Sequence, residues 1–424
     1  MSRLRVATPR SAWLDTVPAG PCAWTALAVG LASPVAIQIV GVVYLPEILL
    51  AGIALWALLR SFSRKRFWQP PFSTLCLLLA LSLAGYIAAD LAWQTDSGRW
   101  LRGWARIVFL ASNFVGLYFL CRRRPRNFLL YCVGSAAASV LALLLAGRLF
   151  TDWKFGASVP VTLLMACLGS LASPQRWLAP AAGLGALGIL HILLDSRSLG
   201  GCCLAAGLML LARHRAQTEP RPLRGLVLWV AALAVLGVGI YAYVWSDQNF
   251  GPRRLQSIAW RAASLATAWS GVADSPWIGN GSQANDFRFQ SEYDGRFAAS
   301  SGMRYVGLPT DTSTFTPHSH ILQAWFEAGI AGAAFFMFLA WRMGGALRSC
   351  VVSCAGGPLV PLFVVVLLCC EWHLLFSPFA GAARLEVAAA AVVMCLVERE
   401  AQDSSRRNAT LRPMPGTRWL VKIA

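Results

Sequence analysis

Two histidines stand at the end of a long polar segment, immediately before an apolar run. The sequence reads Pro317-His318-Ser319-His320 and continues through Gly329 and Gly332. A neutral imidazole is a base near neutral pH, so His318 is a candidate to take a proton from a hydroxyl group. Histidines at positions i and i+2 of a helix project in different directions, which argues against a metal pair. The alternative for this segment is an ordinary cap at an interfacial helix.

Arg197 lies between two apolar runs, in the segment Ser196-Arg197-Ser198-Leu199-Gly200-Gly201. Ionisable side chains at membrane depth are functional candidates, and arginine binds phosphate oxygens as a planar fork. The alternative is a snorkelling arginine that pairs with Asp195.

Further arginines precede the histidines in the same polar segment. Arg254 and Arg261 lie on either side of Trp260, and Pro276-Trp277-Ile278-Gly279-Asn280-Gly281 follows. A proline followed by two glycines predicts a tight turn.

The composition shows which elements must position these residues. Of the 424 residues, 57% are hydrophobic and only 13% are charged. Water-soluble proteins carry about 25% charged residues, so a soluble fold is excluded. We predict an all-α polytopic membrane protein whose twelve spans are 22–40, 44–60, 72–93, 105–121, 128–150, 158–173, 177–195, 199–212, 225–245, 321–341, 356–371 and 382–397.

The distribution of positive charge gives the expected orientation. The chain has 37 basic and 19 acidic residues, a balance that would suggest nucleic-acid binding in a soluble protein. Most of the basic residues fall on one side of the predicted topology, with both termini, and that side is assigned to the cytoplasm. Thirteen basic residues remain on or near the outer side, where the positive-inside rule predicts few basic residues. Their presence indicates an anionic ligand on that side. Arg197, Arg254, Arg261, Arg288 and Arg384 are among them.

The predicted topology divides the chain into four parts. Residues 1–245 form transmembrane helices 1–9, and residues 246–320 form one large periplasmic loop module. Residues 321–397 form helices 10–12, and residues 398–424 form a basic cytoplasmic tail. Four ionisable residues near the spans are expected to be structural partners rather than reactive groups: Glu47, Asp90, Glu371 and His373.

The combined motifs resemble those of the O-antigen ligases, which attach O-antigen polysaccharide to the lipid A core of lipopolysaccharide. The spacing of His318, Gly329 and Gly332 is similar to that family's histidine motif, and Ser196-Arg197-Ser198 resembles the segment of its first essential arginine. Twelve spans with a long loop between the ninth and tenth also resemble the family. The family's second arginine usually precedes the tryptophan by four residues, whereas Arg254 precedes Trp260 by six and Arg261 follows it. Both remain candidates, and Arg261 is preferred because it falls on the predicted helix.

The resemblance implies an inverting glycosyltransferase at the periplasmic face of the bacterial inner membrane. Its partners would be an undecaprenyl-diphosphate-linked polysaccharide as donor, lipid A core as acceptor, and membrane lipids, with no nucleic acid. His318, Arg197 and Arg261 would be catalytic, with His318 as the base. No cofactor or metal ion is expected, because arginine would supply the positive charge. Further substrate-binding candidates are Arg254, His320, Arg288, Ser196, Gly279 and Gly281.

Three alternatives remain open at the level of the sequence. An O-antigen polymerase would use a second lipid-linked glycan as acceptor, and a protein O-oligosaccharyltransferase would use a protein hydroxyl. A transporter or flippase of lipid-linked sugars would also be polytopic with arginines in its cavity. Such a transporter has no need of a large outer module that ends in histidines.

Overall fold

The computed structural model describes residues 20–39, 41–61, 68–171, 177–218, 251–282, 287–301, 315–352, 355–379 and 381–410. Within these ranges the chain is almost entirely helical, so the predicted all-α polytopic membrane fold is confirmed. The helices before the long polar segment are α1 (Pro21–Leu31), α2 (Leu45–Ser61), α3 (Phe72–Ala92), α4 (Ser97–Cys121), α5 (Arg126–Leu145), α6 (Ser158–Leu171), α7 (Leu178–Leu193) and α8 (Arg197–Thr218). Those that follow are α9 (Gly251–Asp274), α10 (Phe287–Ser301), α11 (His320–Val352), α12 (Val360–Phe376) and α13 (Ala383–Thr410).

Six helices in the described ranges are long and apolar enough to cross a membrane. Large apolar side chains such as Leu59, Leu77 and Leu145 lie on the surface, which suits a lipid environment and not water. Eleven of the twelve predicted spans overlap an observed helix. The predicted span 225–245 lies outside the described residues.

The first predicted span, 22–40, is wrong in its second half. The helix α1 ends at Leu31, and the chain then forms a short antiparallel hairpin of β1 (Ala36–Gln38) and β2 (Val42–Tyr44). Pro34 explains the change, because proline has no backbone N–H group and cannot continue the hydrogen-bond ladder of a helix. The apolar run in the sequence therefore continues beyond Leu31, where α1 ends.

A buried ion pair fastens the beginning of α2 to α13. Glu47 is fully buried, and Arg384 donates to both of its carboxylate oxygens at 2.7 Å. Asn113 on α4 and the backbone N–H of Tyr44 also donate to Glu47. The positive charge of Arg384 is thus neutralised inside the bundle, and Glu47 makes only structural contacts.

The long helix α11 is broken near its first third. Ala328 and Gly329 depart from helical geometry, with φ of −132° and 63°. At Gly329 the ψ of −165° completes a conformation that is essentially open only to glycine. The break leaves backbone groups of α11 without their usual partners within the helix.

The turn that the sequence predicts at Pro276–Gly281 fills this break. Backbone N–H groups of Asn280 and Gly281 donate to the carbonyls of Phe326 and Glu327, at 2.8 and 2.9 Å. In return, the N–H of Ile330 donates to the carbonyl of Pro276 at 3.0 Å. We call this interlocked pair, Pro276–Gly281 with Phe326–Ile330, the turn–helix junction.

Buried side chains reinforce the junction from the neighbouring helices. Arg106 on α4 forms an ion pair with Glu327 at 2.6 Å, and Tyr86 on α3 donates to the same carboxylate at 2.9 Å. One helical turn earlier, Gln323 donates to the other oxygen of Glu327 at 3.2 Å. This network ties the junction rigidly to α3 and α4.

Asp90 on α3 holds the residue that follows the turn. Its carboxylate accepts from the backbone N–H and the hydroxyl of Ser282, at 2.6 and 2.7 Å. Trp104 on α4 donates to the same carboxylate at 2.7 Å. The described part of the outer segment is therefore anchored to the bundle at several points.

Candidate functional site

His318 lies two residues before α11, packed against α9. Its backbone N–H donates to the hydroxyl of Ser264 at 3.2 Å, and the ring of Trp260 meets the imidazole edge to face at 5.3 Å. The next residue, Ser319, donates its hydroxyl to the carbonyl of Leu374 on α12 at 3.0 Å. The histidine is therefore held between two helices while its side chain stays partly exposed.

Partial burial lowers the pKa of His318, and the positive charge of Arg261 lowers it further. Both causes disfavour the imidazolium form. At neutral pH the ring is neutral, with one nitrogen free to accept a proton. This is the protonation state that a general base requires.

The structure brings Arg261 close to His318, because Arg261 follows Trp260 directly on α9. Its side chain is exposed to the outside of the described protein. Arg254 lies in the first turn of the same helix, and its side chain lies outside the described residues. The charge of Arg261 acts on the histidine, and Arg254 stays a candidate for the second arginine.

Arg197 is the first residue of α8 and is about one-third exposed. Its guanidinium pairs with Asp195 at 2.7 Å, and Lys154 pairs with the same carboxylate at 2.9 Å. Burial alone would raise the pKa of Asp195, but its hydrogen bond with Lys154 and the charges of Lys154 and Arg197 outweigh burial and lower it. Two cations thus share one anion, and the amino end of α8 adds partial positive charge.

The direction of α8 relative to α12 follows from contacts near its two ends. Late in α8, Arg213 donates to the carbonyl of Ala355, just before α12 begins. Early in α8, the thiol of Cys202 lies 3.8 Å from the carbonyl of Leu368, in the middle of α12. The two helices therefore run antiparallel.

This arrangement places Arg197 and His318 toward the same end of α12. Arg197 is five residues before Cys202, or about 8 Å along the helix axis. Leu374, which accepts from Ser319, is six residues beyond Leu368, or about 9 Å in the same direction. The two residues are thus at similar heights along α12. We call Arg197, Arg261 and His318 the outer site, after the side of the membrane on which the sequence predicts them.

The remaining predicted site residues lie elsewhere. His320 is fully buried, with its Nε2 atom 3.2 Å from the carbonyl of Pro378 and its ring against Phe379. Ser196 is buried beside Arg197, and its backbone N–H donates to the carbonyl of His191 at 2.8 Å. Whether either residue contributes to substrate binding stays a prediction.

Gly279 and Gly281 belong to the turn–helix junction and are buried there. Both have positive φ, 84° and 83°, and a side chain at Gly279 would overlap the backbone of α11. Their observed contacts are with the protein, and their predicted part in substrate binding remains open. Arg288 on α10 is exposed and forms an ion pair with Asp274 at the end of α9.

Two groups that complete these regions, Lys154 and Glu327, were not predicted from the sequence. Lys154, which shares Asp195 with Arg197, lies more than forty residues before Asp195, so proximity in the chain gave no signal. Glu327 sits in the apolar run after His318, where an acid at membrane depth is costly and demands a partner. The cost of burying this acid indicated that Glu327 has a buried partner. The sequence spacing could not identify Arg106 as that partner.

In the ranges covered by the structure, no three His, Cys, Asp or Glu side chains lie together as a metal site would require. Arg197 and Lys154 share the carboxylate of Asp195, and Arg261 adds a further cation beside His318, so cations are in excess at the outer site. Such groups suit an anionic ligand with oxygen atoms.

Comparison with known proteins tests the resemblance to the O-antigen ligases. No curated protein shows a significant similarity to the chain. Residues 182–337 match the model of a family described as O-antigen ligase. The matched stretch begins in α7 and ends in α11, so it contains Arg197, Arg261, His318 and both halves of the turn–helix junction. The resemblance is confirmed for this stretch: residues 182–337 are similar to the O-antigen ligase family, a family of membrane enzymes of the ligase or polymerase type.

Proposed function

We propose that the protein is an O-antigen ligase of the bacterial inner membrane, with its active site on the periplasmic side. It transfers polysaccharide from undecaprenyl diphosphate to a sugar hydroxyl of lipid A core. The observation that carries this proposal is His318, packed against Trp260 beside the cationic Arg261 and at the same end of α12 as Arg197. A base next to fixed positive charge is what displacement of a diphosphate by a hydroxyl group needs.

The donor diphosphate binds at the outer site. Arg197 offers a planar fork to its oxygens, and Lys154 compensates for the negative charge of Asp195. Arg261 approaches from α9 and contributes a second guanidinium. As the bond between the anomeric carbon and the diphosphate oxygen breaks, the electron pair moves to that oxygen, and these cations stabilise the growing charge.

The acceptor hydroxyl enters next to His318. The imidazole takes the hydroxyl proton while the acceptor oxygen forms its bond to the anomeric carbon. Attack from the face opposite the leaving diphosphate inverts the configuration at that carbon. Trp260 and the hydrogen bond from His318 to Ser264 keep the histidine in place during the reaction.

Arginine in this mechanism does the work that a divalent cation does in other glycosyltransferases. We therefore expect transfer by purified protein to survive a chelator. Loss of activity in chelator that returns with magnesium or manganese would remove this part of the proposal.

His318→Ala tests the base directly. Loss of a general base reduces the rate by about 10²- to 10⁴-fold, and the fold should remain intact because the side chain is only partly buried. Transfer from lipid-linked glycan to lipid A core is measured with purified variants, alongside thermal unfolding. Arg197→Ala should reduce transfer as well, with Arg197→Lys restoring part of it. Full activity of His318→Ala would exclude the assignment of the base.

Deletion of the gene distinguishes ligase from polymerase. A strain without the ligase makes bare lipid A core and accumulates lipid-linked polymer. A strain without the polymerase still attaches a single repeating unit to the core. The second pattern would replace our proposal with the polymerase.

A further inference from the structure

A cavity lies at the far end of α9 from His318. It has a volume of about 600 Å³ and is bordered by the end of α3, the start of α4, the turn before Ser282, and α10. Ser264, which holds His318, and Asp274, which lines the cavity, are ten residues apart on α9. The axial rise between them is about 15 Å, so the cavity is close to the outer site but separate from it.

The charges that line this cavity are balanced. Two arginines and two aspartates line it, and they form two ion pairs, Arg99 with Asp96 and Arg288 with Asp274. The outer site, in contrast, has an excess of cations. A balanced lining does not favour an anion, so the diphosphate is not the ligand expected here.

Each ion pair offers hydrogen-bond donors and acceptors side by side. A guanidinium only donates and a carboxylate only accepts, whereas a sugar hydroxyl does both. Arg288 and Asp274 are each about half exposed, and both line the cavity. The lining also includes the uncharged polar residues Gln94, Ser275 and Asn280.

The cavity also has a fixed aromatic surface. The indole N–H of Trp93 donates to the carbonyl of Gly279 at 2.7 Å, while 57% of the residue stays exposed. Because the turn–helix junction is rigid, this hydrogen bond fixes the orientation of the ring before any ligand arrives. An exposed, pre-oriented indole presents an apolar face to the C–H groups of a sugar ring.

We propose that this cavity binds a stretch of neutral saccharide, at some distance from the reacting carbon. The proposal rests on the proposed function, which supplies two sources for that saccharide: repeating units of the donor polymer, or uncharged sugars of the lipid A core. In either case the cavity holds the extended substrate while its end lies at the outer site. It is thus a specificity subsite, about 15 Å along α9 from Ser264, the residue that contacts the base.

Asp274→Asn combined with Arg288→Gln tests the subsite. The double variant removes the ion pair without changing net charge, and both side chains are exposed, so folding should be preserved. The matched control is Glu292→Gln with Arg296→Gln, an exposed pair on the same helix α10 outside the cavity. Arg99→Gln examines the opposite wall independently.

Binding is measured by titration calorimetry on the full-length protein in detergent. One probe is a phosphate-free oligosaccharide of the O-antigen repeat, and the other is a phosphate-free oligosaccharide of the lipid A core. We expect the Asp274/Arg288 variant to lose about tenfold in affinity for one of them, with the control unchanged. The affected oligosaccharide identifies the source. In the transfer assay, KM for the corresponding substrate should rise by a similar factor while kcat is retained.

The results separate the subsite from the proposed function. If the wild type transfers glycan but binds neither oligosaccharide, or if the variant binds both as the wild type does, the subsite is wrong and the ligase assignment stands. If the wild type binds an oligosaccharide in this cavity but transfers nothing, the subsite stands and the ligase assignment fails. Preferential binding of inorganic diphosphate in this cavity would also overturn the subsite.

Discussion

The turn–helix junction and the outer site contain residues of the same sequence motifs but differ in every physical respect. At the junction the polar groups are buried and paired with one another, as the contacts of Glu327 with Arg106 and Tyr86 show. At the outer site, Arg261 is exposed and His318 is half-buried with its ring against a tryptophan. Buried groups that pair with one another hold the fold together, whereas partly exposed charges are accessible to a ligand. Burial therefore separates two groups of residues within the same motifs. The buried residues hold the fold, and the partly exposed residues are those that we propose to act on the substrate.

The sharpest test of this comparison is Gly329→Ala at the junction. A methyl group there would overlap the carbonyl of Trp277, and the backbone conformation is essentially restricted to glycine. We expect the free energy of unfolding to fall by about 3 kcal/mol or more, with little folded protein recovered. Thermal unfolding in detergent measures the change.

Gly344→Ala is the matched control, since Gly344 is on the same helix and a methyl group there meets nothing within 4 Å. It should unfold at or above the wild-type temperature. If both variants unfold at the same temperature, the junction does not have the structural importance given to it here.

A loss of stability of similar size is expected from Glu327→Ala. The change leaves the buried Arg106 without its carboxylate partner, which costs about 3–5 kcal/mol in comparable buried pairs. Replacing both residues, as Arg106→Met with Glu327→Leu, should recover most of this stability because no charge remains buried. The measurement is again thermal unfolding.

The exposed pair of Glu292 with Arg296 provides the contrast. Glu292→Ala should cost less than about 1 kcal/mol, as is usual for surface ion pairs. Equal losses for Glu292→Ala and Glu327→Ala would contradict the distinction between buried and exposed charges.

The same distinction explains what could be predicted from the sequence. Apolar runs of sufficient length predicted the helices, because a membrane demands continuous backbone hydrogen bonding over about 20 residues. The prediction was wrong beyond Leu31, where Pro34 ends the helix inside an apolar run. At that point a single proline, and not the apolar composition, determines where the helix ends.

The position of the predicted turn could not be read from the sequence. Its glycines indicated a tight turn, but the partner of Gly281 is the carbonyl of Glu327, 46 residues later. Likewise, the sequence suggested Asp195 as the partner of Arg197 but gave no sign of Lys154. Local pattern predicts the type of an element, while contacts between distant segments depend on the assembled fold.

The prediction with the smallest expected effect concerns the pH dependence of transfer at the outer site. Burial is the larger cause of the lowered pKa of His318, and the charge of Arg261 is the second. A base is active when unprotonated, so kcat/KM should fall as the pH drops through the pKa of His318. Arg261→Gln removes one cause of the lowering, so this pKa rises and the acidic limb of the profile moves to higher pH, by less than about one unit. Arg261→Lys retains the charge and should leave the limb in place. If Arg261 only bound the diphosphate, at a distance from the histidine, Arg261→Gln would lower kcat/KM equally at every pH, and the link between the two residues would be lost.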